Sequence, residues 1–400
     1  MDRITAAVRA FYEAYPYPPG KDANCDGYHA QLLLSYLERP FDAPCSLQVL
    51  EAGCGRGVNL AAAAKQQRQH QFTGIDINRV AIDEASKKAV EQGASNLQFC
   101  VADLLNEATL PEYRTGYDVI ISYGVLHHLS DPVRGLRQLT ELLAPHGVMG
   151  LMVDGSYGRQ PLDRYLQALE IIESKGGGDG DDAKRFFHAQ ALARVAEQSI
   201  FKGNYWQGTA QVDEVEFADR CLHVHAQSYD IKGLWNLLES AGLSFVRWQE
   251  HADWSLEGMT NDPQLVEQLQ KLDKMSRYQV IERLAYRPKL TLIAAKQGDS
   301  PRKRLLIDEI LRCRLAINPQ LKMCQSDSCW RLRNRSMVVE PAEEMILLQL
   351  KAFEEGVTSQ VMLEHLAETG INQEQGIDLL YRMHNRELLY RPHQTTRILS

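Results

Sequence analysis

A chain of 400 residues with 44% apolar content is long enough for two or three domains and a sizeable core. Its formal net charge of −8 disfavours a protein that coats nucleic acid or anionic membrane over its whole surface. The opening Met1-Asp2-Arg3-Ile4-Thr5 lacks the apolar stretch of a secretory signal, and no run reaches the roughly 20 apolar residues that span a bilayer. Eight scattered cysteines suit reduced thiols better than a disulfide framework, so a cytoplasmic location is expected.

Arg3–Ala14 and His29–Leu37 read as helices. Tyr15-Pro16-Tyr17-Pro18-Pro19-Gly20 lies between them and cannot be helical, because proline restricts itself and the residue before it. From Ser46 short apolar runs appear at Leu47–Glu51, Phe72–Ile77, Leu97–Val101, Val119–Ser122 and Gly147–Val153. Amphipathic segments such as Asn78–Glu91 and Pro132–Leu143 separate them, a pattern expected of a parallel sheet covered on both faces. After Asp154 the chain turns helical at Pro161–Ser174 and Ala183–Gln198, with the Gly176–Asp182 cluster expected as a flexible surface loop. Helix Lys232–Ala241 and strands Ser244–Trp248 and Lys289–Ala295 complete the sheet. The expected fold is therefore α/β, a doubly wound, mostly parallel seven-stranded sheet with a helical insertion.

A linker at Gln297-Gly298-Asp299-Ser300-Pro301 precedes a tail with helical patterns at Glu343–Phe353, Ser359–Glu368 and Asn372–Arg386, then a short strand in Glu387–Arg391. Helices followed by a β-ribbon resemble a winged-helix module. Arg302–Arg335 carries nine Lys/Arg against Asp308, Glu309 and Asp327, so nucleic acid or an acidic peptide is a conceivable partner, although a solvated basic face is the commoner outcome.

Chemistry concentrates at the carboxyl ends of the early strands. Val49-Leu50-Glu51-Ala52-Gly53-Cys54-Gly55-Arg56-Gly57 runs from a strand through a glycine turn into the helix Val58–Gln66, whose first N–H groups face an anion. A dinucleotide fingerprint would need its third glycine at the position of Val58. The second strand ends at Asp76-Ile77-Asn78, the third at Asp103-Leu104 and the fourth at Ser122-Tyr123, followed by Leu126-His127-His128-Leu129. A single acid after a strand is usually a helix cap. Acids at successive strand ends point instead to a ligand at the carboxyl edge.

These features resemble class I S-adenosylmethionine-dependent methyltransferases, strongly over about residues 45–155 and more loosely to about 296, with Leu126–Leu129 and Asp131-Pro132 similar to the small-molecule branch. The resemblance implies S-adenosylmethionine as cofactor. It implies that Gly53, Gly55 and Gly57 hold the methionyl part beside Glu51, Asp76 the ribose, and Ile77, Asp103 and Leu104 the adenine. Ser122 and Tyr123 would line the space by the methyl group. His127 and Tyr123 are the candidate catalytic residues, and no base is needed unless the nucleophile must lose a proton. Residues 1–44 are then expected as a helical lid, 45–156 as the cofactor core, 157–230 as a cap, 231–297 as the rest of the core and 302–400 as the winged-helix-like domain.

The substrate candidates are Tyr15, Tyr17, Tyr157, Arg159, Trp206, Asp219, His223 and Tyr229. His223 and His225 lack a third ligand, and Cys313, Cys324 and Cys329 lack zinc spacing, so no metal is expected. An Asn/Asp-Pro-Pro-aromatic run after the fourth strand, the mark of DNA base methylases, is missing. Three readings stand: methyl transfer to a small molecule or peptide side chain, methyl transfer to protein or RNA docked through the tail, and a non-catalytic cofactor-binding regulator. The oligomeric state is open, a homodimer being one option.

Overall fold

Leucine, valine and isoleucine runs flanked by glycine can satisfy both their side chains and their backbone only inside a covered sheet. The computed structural model describes residues 1–400 except 20–22, 40–42, 112–115, 176–181, 256–259, 261, 304–305, 324–328, 333–334, 352–355, 393–394 and 397–400. It divides into two units, Met1–Ala23 with Gln48–Gly298, and Asn24–Leu47 with Asp299–Ser400.

In the first unit the runs become β1 (Gln48–Ala52), β2 (Gln71–Asp76), β3 (Leu97–Val101), β4 (Tyr117–Tyr123), β5 (Leu143–Asp154), β6 (Leu243–Trp248) and β7 (Lys289–Lys296). They order as β3-β2-β1-β4-β5-β7-β6, parallel except for β7, which runs against both of its neighbours. The order reverses between β1 and β4, where a crevice opens at the carboxyl edge. Helices α1 (Arg3–Ala14), α2 (Val58–Gln66), α3 (Arg79–Glu91) and α4 (Pro132–Leu142) precede the cap. Asn78 and Asp131 cap α3 and α4 through their side chains. Leu50, Ile120, Met149, Leu151, Leu234 and Trp248 form the main core.

The cap comprises α5 (Ser156–Lys175), α6 (Asp182–Glu197) and α7 (Glu214–Cys221), and its own core joins Leu162, Tyr165, Phe201, Trp206 and Phe217 to Phe11 of α1. Helix α5 starts earlier than the expected Pro161. Arg159 N–H already donates to Gly155 O, and Gly155 is pinned by Pro288 O, so Pro161 lies within the helix. The expected flexible loop lies outside the described residues except for Asp182. Helix α8 (Ile231–Ser240) covers β6, while α9 (Pro263–Gln270) and α10 (Lys274–Leu284) lie where no helix was expected.

The expected 1–44 lid is split. Residues 1–23 belong with the sheet, whereas Leu32 of the short helix Ala30–Leu34 packs against Ala316 and Tyr390 in the second unit. That unit holds the helices Pro341–Leu350, Ser359–Glu368 and Gln373–Asn385 around Leu347, Leu363 and Leu380. Its strand Arg314–Ile317 lies between Val357–Thr358 and Leu389–Tyr390. An antiparallel meander, Leu321–Met323, Cys329–Leu332 and Arg335–Val338, was not expected. Cys324 lies outside the described residues. No described helix is long and apolar enough to cross a membrane.

Candidate functional site

The glycine turn after β1 adopts left-handed backbone at Gly53, Gly55 and Gly57, with φ of 80°, 52° and 65°. A Cβ on Gly55 would lie 2.3 Å from the carbonyl oxygen of Tyr17, so only glycine lets the N-terminal segment cross here. Arg56 N–H donates to that same carbonyl at 3.2 Å. Gly57 opens α2 with no side-chain cap, leaving the helix end to an anion. Glu51 is buried at the end of β1.

Asp76, at the tip of β2, accepts from Gly55 N–H and Asn78 N–H, each at 2.8 Å. Burial raises its pKa, and the N–H donors of Asn78, Gly55 and Ile77 work against that rise. Ile77 is half-buried and Leu104 buried. Asp103 folds its carboxylate back onto Leu105 N–H at 2.8 Å. Ser122 is fully buried, and its Oγ has no partner. The Tyr123 hydroxyl donates to Gln249 Oε1 at 3.1 Å.

The turn Leu126–His128 carries two buried histidines. His127 and His128 ring centroids are 4.1 Å apart, and His128 lies 3.7 Å from His223. His127 Nε2 is 3.8 Å from Asp154, which is bonded by Arg159; Arg159 also reaches Asp163 at 3.2 Å. Burial, then the neighbouring His128, Arg159, His223 and Lys289, drives the His127 pKa well down. Burial brings His128 to about 4 and also lowers His223. All three rings are therefore neutral near pH 7.

The cap and the N-terminal segment meet above these rings. Tyr12 hydroxyl donates to Asp219 at 3.0 Å, and burial pushes the Asp219 pKa up to about 6. One turn away on α7, Glu216 lies close enough to Tyr17 that, with burial, it raises the pKa of that hydroxyl. Tyr12 O in turn accepts from Asn78 Nδ2 at 2.7 Å, so α1 is tied both to the cap and to the tip of β2. Lys289 pairs in register with Asp154. Burial works to lower its pKa, but Tyr205, Asp154 and Glu216 hold it raised.

Arg159 and His223 thus lie near His127, while Asp219 lies by Tyr12 and Tyr17. Other substrate candidates do different work. Trp206 is buried and donates to Gly158 O at 2.9 Å, and Tyr15 packs on Phe11. Tyr157 lies beneath Arg283, and Tyr229 bridges Gly155 by backbone pairing. Sequence reasoning missed Asn78, Asp154, Glu216 and Lys289. Asp154 ends a strand at the carboxyl edge, a signal available in the sequence, but the pairing that brings Lys289 beside it was not. Among the described residues no cluster could hold a metal ion.

Residues 45–165 match a family model described as a methyltransferase domain. An uncharacterized protein of Synechococcus sp. is 29% identical over 75% of this chain and 73% of its own length. A ubiquinone biosynthesis O-methyltransferase of Leptothrix cholodnii is 29% identical over 41% of this chain and 67% of its own. The solved structure of PKMT2 from Rickettsia typhi superposes with a TM-score of 0.67 at 16% identity, covering 95% of this chain and 78% of that one. Its complex with AdoHcy gives 0.65.

Proposed function

We propose that this chain acts as a class I S-adenosylmethionine-dependent methyltransferase and that it methylates a small molecule or a peptide side chain held beneath the helical cap. The observation that supports a small acceptor is the closure over the histidines: Tyr12 is bonded to Asp219 and its ring meets those of His128 and His223, which lie 3.7 Å apart. Such an enclosure admits one side chain or a compact molecule, not the surface of a folded macromolecule.

In this reading the uncapped α2 end and Gly53, Gly55 and Gly57 receive the methionyl carboxylate beside Glu51. Asp76 faces the ribose, its oxygens still having lone pairs beyond the backbone N–H bonds they accept. Ile77, Asp103 and Leu104 flank the adenine. S-adenosylmethionine supplies a methyl group on a sulfonium that leaves as a neutral thioether. The protein's part is to aim the acceptor, exclude water and take up a proton where one must leave. Ser122 lies beside the methyl, whereas Tyr123, tied to Gln249, serves as wall. Arg159, Asp219 and His223 face the acceptor.

Transfer of labelled methyl to panels of small hydroxy and amino compounds, short peptides and RNA tests this. Turnover of small molecules or peptides is expected. Turnover confined to RNA or intact proteins would favour docking through the second unit, and cofactor binding without any turnover would favour a regulator.

A further inference from the structure

A groove of about 340 Å3 lies between α8, the start of α10 and the outer strand β6. Strand β7 runs against both of its neighbours, so β6 points the same way as β1–β5 and Leu243–Phe245 stands at its amino end. Gln297, which follows the last residue of β7, borders the same groove and donates its N–H to Gly242 O at 3.0 Å. The groove therefore opens at the amino edge of the sheet. It lies a strand length, roughly 20 Å, from the edge that carries Gly53, Asp76 and Ser122. A ligand held there is out of reach of the methyl group and is not the acceptor.

The floor of the groove is apolar. Leu238 and Leu243 are buried, and the half-buried rings of Trp235 and Phe245 stack at 4.6 Å and 25°. Two opposite charges line it: Glu239 in the last turn of α8, and Lys274, the first residue of α10. Lys274 Nζ sits 4.6 Å from the Phe245 ring centroid. The neighbouring acid, Asp273, commits its carboxylate to the N–H and hydroxyl of Ser276. Burial, then nearby Arg277, lowers the Lys274 pKa, and no carboxylate acts against them. Among the described residues the Glu239 carboxylate has neither a hydrogen bond nor an ion pair. The two charges thus share one groove and stand too far apart to pair with each other.

A cation and an anion held apart over an aromatic floor are the complement of a zwitterion with an apolar body. We propose that this groove binds a free apolar amino acid, with its carboxylate on Lys274, its ammonium on Glu239 and its side chain against Trp235 and Leu238. The ammonium of Lys274 keeps three N–H donors beside its contact with the ring, and the Glu239 carboxylate keeps all its lone pairs. The volume falls in the range of small-ligand sites, about 300–1,000 Å3. An acid without an amine would face Glu239 unpaired, and an amine without a carboxylate would face Lys274 and Arg277. Each singly charged analogue therefore meets a repulsion that the zwitterion avoids.

The test uses full-length protein labelled with 15N at its tryptophan indoles, with excess S-adenosylhomocysteine present to fill the amino-acid end of the cofactor site. L-phenylalanine is titrated in, and separately 3-phenylpropionate and phenethylamine, which each keep one of its charges. Phenylalanine should give a saturable shift of the Trp235 indole signal, identified by its loss in Trp235→Phe. Both analogues should bind about 10-fold or more weakly. Lys274→Met should weaken phenylalanine by a similar factor without weakening phenethylamine, and Glu239→Gln should weaken phenylalanine without weakening 3-phenylpropionate. Both side chains are exposed, so thermal unfolding of the variants should match wild type. Equal binding of all three compounds, phenylalanine affinity unchanged in both variants, or no saturable shift of the Trp235 signal would overturn the proposal.

Discussion

The carboxylate of Asp76 accepts the backbone N–H of Gly55 across 21 residues of chain, so the tip of β2 holds the shape of the turn after β1. The two oxygens are shared between that turn and Asn78, the cap of α3. Asp76→Asn would set an amide N–H against one of these backbone donors. A hydrogen bond to a charged group contributes about 1.5–3 kcal/mol, and a loss of that size is expected in urea unfolding. Unchanged stability would mean that the carboxylate does not hold the turn.

Gly55→Ala meets two obstacles, a left-handed φ of 52° and the Tyr17 carbonyl 2.3 Å from the new methyl. The N-terminal segment must move away, at a cost of about 1–3 kcal/mol. Limited proteolysis should then cut near Tyr15–Pro19 faster than in wild type, and cofactor affinity should fall. Equal cleavage rates would contradict the crossing.

Asp219 gives a pH signature. Its folded pKa, raised by burial to about 6, exceeds the ordinary carboxyl value of 3.8. Between those values the folded state holds a proton that the unfolded state has released, so stability falls as pH rises through the window and levels off above it. Asp219→Asn does not titrate. Its stability relative to wild type should therefore improve from about pH 4 to pH 6.5 by on the order of 1–3 kcal/mol. Urea unfolding of both proteins at several pH values reads the difference, and a constant gap would refute it.

In the second unit Glu343 is fully buried, and Arg386 Nη1 lies 2.6 Å from both of its oxygens. Arg386→Ala strands that carboxylate, which costs about 3–5 kcal/mol. Calorimetry should show the loss in thermal unfolding of the variant, whereas Arg382→Ala, at an exposed ion pair with Glu340, should cost under about 1 kcal/mol.

The sheet was legible because its strands are apolar runs between glycine and helix caps, and the order of acids at their ends placed the carboxyl edge. Gly55 and Asp76 were both visible, but their bond was not, since neither residue type declares its partner. Glu216 and Asn78 carry no sign of their partners in the sequence, and only packing brings them to Tyr17 and Tyr12. Trp206 and Tyr15 were singled out as aromatics near a site, yet they fill the core of the cap, where large rings bury most area. The division of residues 1–44 between two units was hidden because Leu32 packs against residues far along the chain.

The most direct measurement is calorimetric titration of the purified protein with S-adenosylmethionine and S-adenosylhomocysteine, beside a folded Asp76→Asn variant. Binding in about the micromolar range, weakened 100-fold or more by the substitution (about 2.7 kcal/mol), is the expected result. Equal affinity in both proteins, or no binding by well-folded wild type, would contradict the assignment of this edge of the sheet as the cofactor site.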